Sequence, residues 1–293
     1  MGIRTDLALE SAQAVQSGEE TGAGALRGIS QEKYESSGFE VTTITIETEE
    51  AARLIEKPCG RYITIETRGA GLDAHPDDFD ERVDVIAAEL VKLCGGAKRI
   101  LVAGLGNEQI TPDSLGPKCA AQVFATRHIK ALAAELDTEE LADVAVLATG
   151  VLGQTGVEAS EIVKAVADRI HPEKVVVIDA LACSEVSHLG TTIQLTDTGI
   201  SPGSGVENAR KELSRATLGV DVVVLGVPTV VDMQTIAEQV FGQAAPANGF
   251  KGMMVTPRSI DKLIDRTARL VSMGINRAFQ PGLTIEELTS IVS

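Results

Sequence analysis

Val175-Val176-Val177-Ile178-Asp179-Ala180 runs four aliphatic residues straight into a carboxylate. An uninterrupted apolar run of this length, bounded by polar residues, reads as a strand covered on both faces, the mark of a parallel sheet flanked by helices. The pattern has a counterpart upstream. Arg99–Gly104 is a second buried strand, and it empties into Gly104-Leu105-Gly106-Asn107-Glu108-Gln109-Ile110-Thr111-Pro112-Asp113. An ionised group directly after an apolar run is poorly placed for packing. It is well placed for chemistry, because open α/β sheets bind ligands beyond the carboxyl ends of their strands. Asp113 and Asp179 are therefore a candidate acid/base pair.

Working outward, Asp80–Leu93 reads as an amphipathic helix and Leu115 to Leu136 as a long helical pattern. Val144–Ala148 is an apolar strand, Val157–Ile170 a helix, and Thr191–Leu195 an alternating segment that fits an added strand. Val206–Thr217 has a helical pattern, Val222–Leu225 is a strand, and the C-terminal half of the remainder is mostly helix. Strands alternating with helices predict an α/β fold, a mainly parallel doubly wound sheet with helices on both faces. Residues 7–293 read as one domain. Its first part, 7–75, is an extension with two half-buried strands, Glu40–Glu47 and Arg61–Thr67, separated by Ala51–Lys57. The first forty residues, rich in Gly, Ser, Glu and Gln, read as weakly ordered.

Hydrophobic residues make up 44% of the 293, yet aromatics only 3%, so the core must be aliphatic. The balance of 26 basic against 42 acidic residues leaves a net charge of −16. Such a surface repels polyanions, which argues against direct binding to nucleic acid or to an anionic membrane. No apolar run is long enough to span a bilayer, and the N-terminus lacks the apolar stretch of a signal peptide. Cys59, Cys94, Cys119 and Cys183 are scattered, with spacing that fits neither a zinc cage nor a disulfide framework. Reduced thiols place the chain in a reducing, cytoplasmic compartment.

Gly104-Leu105-Gly106 after a strand has the look of a dinucleotide turn, but Gln109 stands where the third glycine belongs and Pro112 interrupts the helix start. No cofactor is expected. On spacing alone Asp113 is better explained as an N-cap of the following helix. Asp179 is equally well read as catalytic or as a carboxylate satisfied by loop amides. Gly150–Gly156 and Gly199–Gly205 are glycine-rich loops at other strand ends. They serve either as turns or as sources of backbone amides for a substrate. From these loops Gly106, Asn107, Gly153, Gln154, Thr155, Gly156 and Ser204 are candidate substrate-binding residues. The four histidines form no metal-binding or triad pattern, and no metal site is expected.

Taken together, several long strings resemble the germination protease family, spore endopeptidases that start degrading small acid-soluble spore proteins. They are IRTDLALE, RYITIE, GLGN with TPDSLGP, GVLGQTGVEASEIV, VVVIDALA, TIQLTDTGISPGSGVENARKELS, LGVPTVVD and VTPRSID, and they span nearly the whole chain. The resemblance implies a fold similar to hydrogenase-maturation endopeptidases, a homotetramer in the spore core, and catalysis by Asp113 and Asp179. It also implies a zymogen that removes its own N-terminal segment. The family preference is cleavage after Glu or Asp, before a hydrophobic residue followed by Ala. Asp6-Leu7-Ala8 fits that rule at the family's processing position and makes Met1–Asp6 the propeptide. Ile3 departs from the rule, which wants an acid there. The same rule matches cuts after Glu140 and Asp143, which folding is expected to protect.

The mechanism this implies has one ionised aspartate activating water while the protonated one donates a hydrogen bond to the scissile carbonyl, as in aspartic proteases. Pockets for acidic side chains would need cations, and Lys118, Arg127, Arg210, Lys211 and Arg258 are the candidates. Two other readings stay open: a metal-dependent maturation-type endopeptidase, and a non-catalytic ligand-binding α/β protein.

Overall fold

The computed structural model describes residues 5–18, 27–67, 71–73, 79–132, 141–203, 210–242, 249–250 and 252–292. The chain opens with α1 (Ala8–Gly18), β1 (Ile29–Ser36), β2 (Phe39–Ile46), α2 (Glu49–Ile55) and β3 (Gly60–Thr67). After α3 (Phe79–Cys94) come β4 (Arg99–Leu105), α4 (Leu115–Ala120), α5 (Arg127–Leu132) and β5 (Asp143–Gly150). Then follow α6 (Leu152–Thr155), α7 (Ala159–Ile170), β6 (Lys174–Cys183), β7 (Thr192–Thr196) and α8 (Arg215–Leu218). The last elements are β8 (Asp221–Asp232), α9 (Met233–Phe241), β9 (Met254–Val255), α10 (Ile260–Phe279) and α11 (Ile285–Val292).

All nine strands form one sheet in the order β1-β2-β3-β7-β8-β6-β4-β5, with β9 pairing with β8. The α/β reading holds, with helices on both faces. Val102, Val176, Ile178, Val223 and Leu225 point to the face covered by α3, α4 and α10. Leu101, Ala103, Val175, Val177 and Val224 point to the other, covered by α7 and α8. Further along that second face α1 and α2 pack on Ile44, Ile46 and Tyr62.

Four expectations need correction. The sheet is parallel only from β8 through β6 and β4 to β5; the pairings of β1, β2, β3, β7 and β8 are antiparallel. The N-terminal extension carries three strands rather than two, because Ile29–Ser36 pairs with Phe39–Ile46 through a tight turn at Ser37-Gly38. Its polar, exposed side chains hid it from a reading based on hydrophobic pattern. The long helix from Leu115 breaks after Ala120. There Asn276 of α10 takes up the backbone of Gln122 and Phe124, donating to Gln122 O at 3.0 Å and accepting from Phe124 N at 2.8 Å. A tertiary side chain thus satisfies groups that a helix would have paired internally. The helical pattern at Val206–Thr217 becomes helix only at Arg215–Leu218, with residues 204–209 outside the described set.

Candidate active site

β4 and β6 lie side by side in parallel, with Gly104 level with Ile178. After β4 the chain moves outward to β5, and it returns to β6 on the opposite side of β4. The strand order reverses between them, and such a switch point opens a crevice at the carboxyl ends of the strands. Asp113 follows the first of these strands and Asp179 lies on the second. β6 does not stop at Ile178, as the sequence pattern predicts, but continues to Cys183, so Asp179 is a strand residue.

Asp113 reaches the same place because Gly116 has no side chain. A Cβ there would sit 2.1 Å from Leu105 O and 2.7 Å from Ile178 O. Only glycine lets α4 press onto the ends of both strands and bring the turn before it, Thr111–Asp113, over Asp179. The N-cap reading of Asp113 fails. Ser114 occupies the cap of α4 without a capping side-chain bond. Asp113 Oδ2 instead accepts the Asn107 N–H at 2.8 Å across the turn.

Both aspartates line a cleft of about 550 Å³. Asp179 is 5% exposed, and its Oδ1 accepts the adjacent Ala180 N–H at 2.9 Å. Burial pushes its carboxyl well above the usual aspartate range, and the charges of Asp113 and Asp6 push further in that direction. Burial also raises Asp113, but the Asn107 N–H opposes it. The environments separate the pair. Asp179 keeps a proton more tenaciously than Asp113, a division of labour suited to general acid–base chemistry.

Of the sequence-derived binding residues, Gly106, Asn107 and Gly153 line the cleft. Gln154 stands behind Asn107, donating to its Oδ1 at 2.6 Å. Thr155 and Gly156 do not line the cleft: Thr155 Oγ1 bonds Val151 O and Val157 O, and Gly156, at φ 70°, closes α6. Their part is turn chemistry. Ser204 lies outside the described residues, and Pro202 and Gly203 line the cleft. Arg210 and Lys211 line the cleft. Lys118 pairs with Asp265 instead, and Arg127 and Arg258 are not among the lining residues.

Asp6 lines the cleft as well, which the sequence pattern did not reveal. Its N–H donates to Ala182 O at 3.0 Å and its Oδ2 accepts the Ala182 N–H at 2.9 Å. Leu7 is fully buried against Leu181, Cys183 and Val231. Behind it Glu10 accepts hydrogen bonds from Ser184 N, Ser184 Oγ and Glu185 N and meets His188 Nδ1 at 2.6 Å. His188 Nε2 lies 3.2 Å from Glu66. Burial alone would lower the His188 pKa, but these two carboxylates outweigh it and raise it to about 9. The histidine with no catalytic pattern in the sequence thus anchors the N-terminal segment.

Among the described residues no cluster of three or more His, Cys, Asp or Glu side chains could hold a metal ion, and no helix is long and apolar enough to cross a membrane. Cys94, Cys119 and Cys183 are buried and Cys59 is exposed, all as free thiols; burial pushes Cys94 and Cys183 up to about 12.

The germination protease from Caldanaerobacter subterraneus subsp. tengcongensis is 37% identical over all of this chain and 98% of its own length. The one from Bacillus velezensis is 44% identical over 80% of this chain and 65% of its own. A [NiFe] hydrogenase maturation protease, HycI from Thermococcus kodakarensis, aligns with 64% of this chain and 98% of its own at 21% identity and a TM-score of 0.37, a loose likeness on which nothing rests. The sequence profile of germination proteases matches residues 6–242, so the chain with this cleft belongs to the germination protease family and is an endopeptidase.

Proposed function

We propose that Asp113 and Asp179 hydrolyse peptide bonds as a proton-sharing pair. The observation that carries this is their convergence: carboxyls reached from two neighbouring parallel strands line one cleft, burial lifts the proton affinity of both, and the charge of Asp113 raises that of Asp179 further. Asp113, the less buried, is the base that takes a proton from water. Asp179 holds the proton that the reaction consumes. Two carboxyls that share one cleft and cannot both ionise cheaply provide this division.

The substrate is a protein segment with an acidic residue before the cut and an aliphatic residue after it, as in small acid-soluble spore proteins. The chain's own Asp6 and Leu7 support this, since one lies in the cleft and the other fills an apolar pocket beside it. Arg210 lines the cleft as a cation that can meet acidic side chains of a substrate, whereas the Lys211 ammonium beside it already pairs with Glu161 at 2.5 Å. The chain is a zymogen cut between Asp6 and Leu7, works as a homotetramer, and acts in the spore core. The test is cleavage of a spore-protein substrate by Asp113→Asn and Asp179→Asn, with and without a chelator. Loss in both variants, with wild-type activity surviving chelation, supports the pair. Near-normal activity in either variant sinks it, and loss on chelation points to a metal.

A further inference from the structure

The bond between Asp6 and Leu7 is held by two donors that are not among the residues lining the cleft. Lys57 Nζ donates to Thr5 O at 3.0 Å and to Asp6 O at 3.2 Å. Gln194 Nε2 donates to the same Asp6 O at 3.1 Å, while Gln194 Oε1 accepts the Ala8 N–H at 2.7 Å. One carboxamide therefore spans the bond, gripping the carbonyl before it and the amide beyond it. The carbonyl oxygen of Asp6 receives an ammonium and an amide donor together.

Lys57 Nζ is half-buried and donates to two backbone carbonyls; burial lowers the proton affinity of the amine, and the charges of Asp6, Glu10 and Glu56 oppose that and favour the ammonium. The fold positions it deliberately. α2 ends at Glu56 in a left-handed conformation, φ 58°, which turns Lys57 back toward the N-terminal segment. Gln194 is 6% exposed in the middle of β7. Donors fixed on a carbonyl oxygen in a partly dry site stabilise the negative charge that forms there when water adds to the carbon.

We infer that Lys57 and Gln194 bind the carbonyl oxygen of the residue before the cut and stabilise the oxyanion during cleavage of the Asp6–Leu7 bond. The inference rests on that processing reading and assigns its electrophilic side. Water adds to the Asp6 carbonyl carbon as its proton passes to Asp113. The oxyanion that forms is held by the Lys57 ammonium and the Gln194 amide. The carbon–nitrogen bond to Leu7 then breaks, and the departing nitrogen takes the proton of Asp179. The products are the Asp6 carboxyl group and the Leu7 amine. On this bond the hydrogen bond to the carbonyl comes from Lys57 and Gln194, which leaves the Asp179 proton for the amine.

The experiment follows appearance of the Leu7 N-terminus by mass spectrometry in the full chain, comparing wild type with Lys57→Met, Lys57→Arg and Gln194→Glu. Gln194→Glu keeps the acceptor for Ala8 and removes the donor to Asp6. Loss of one such donor is expected to slow self-cleavage about 10²-fold, with Lys57→Arg recovering part of the rate and the melting temperature of Gln194→Glu near that of wild type. A folded Lys57→Met or Gln194→Glu that releases Leu7 at the wild-type rate or faster overturns the inference; if Lys57→Met does not fold, Gln194→Glu decides. Wild type that cleaves an added acidic peptide yet keeps its own N-terminus also overturns it, while leaving the aspartate pair standing. Wild type that cleaves neither defeats the pair mechanism itself.

Discussion

The sheet changes character at β8. On one side β8, β6, β4 and β5 run parallel, and on the other β7, β3, β2 and β1 alternate in direction. The parallel half ends all its strands on one rim and places Asp113 and Asp179 there. The antiparallel half bears no acid of the cleft. It supplies Gln194 from β7 and Glu66 from β3, and Lys57 from just before β3, and these hold the N-terminal segment against the rim. The difference is physical. A parallel arrangement gathers chemistry at one edge, whereas antiparallel strands offer a broad face on which another segment can be pinned by polar contacts.

The comparison breaks most visibly if the rim does not need its acids. Asp113→Asn or Asp179→Asn is expected to lower substrate cleavage by at least about 10³-fold, measured as initial rate on a spore-protein substrate. The antiparallel half should instead be sensitive in stability. Glu10→Gln removes one member of a buried charged pair and should cost about 3–5 kcal/mol in chemical denaturation. The His188 pKa is raised above its unfolded value, from 6.5 to about 9. Its contribution is therefore complete below pH 6.5 and fades as pH climbs through about 9. Wild-type stability should fall across that window, and His188→Gln should flatten the fall.

Gly116→Ala sharpens the comparison from the parallel side. The added methyl meets the backbone of both β4 and β6, so a loss of about 1–3 kcal/mol is expected, together with reduced cleavage as Asp113 is displaced. A smaller effect has the opposite sign. Because the Asp179 carboxyl is raised by burial, it lends stability when protonated and loses it as pH rises above the unfolded aspartate value. Asp179→Asn should thus melt a few degrees above wild type at neutral pH, with the gap closing in acid. Least dramatic is the fate of Asp143. It opens β5, donates its N–H to Lys98 O at 2.7 Å and precedes Val144, 1% exposed. No cut should appear there in folded protein, whereas partial unfolding should expose one to mass spectrometry.

The parallel half was largely legible because a buried strand leaves an unmistakable apolar run. β4, β5, β6 and β8 were all visible in that way, and so was Asp179, which interrupts such a run. β1 was not, since an edge strand with solvated side chains carries no hydrophobic period. The break after Ala120 was hidden in Asn276, more than a hundred residues away along the chain.

Local order along the chain thus determined the α/β class, the buried strands that lead to Asp113 and Asp179, and the acidic residue before Leu7. Tertiary structure alone decided that Gly116 brings the two acids together. It alone placed Lys57 and Gln194 on the carbonyl of Asp6. The reason is range: burial of an apolar run is written in neighbouring residues, but a hydrogen bond between segments more than fifty positions apart leaves no period to read.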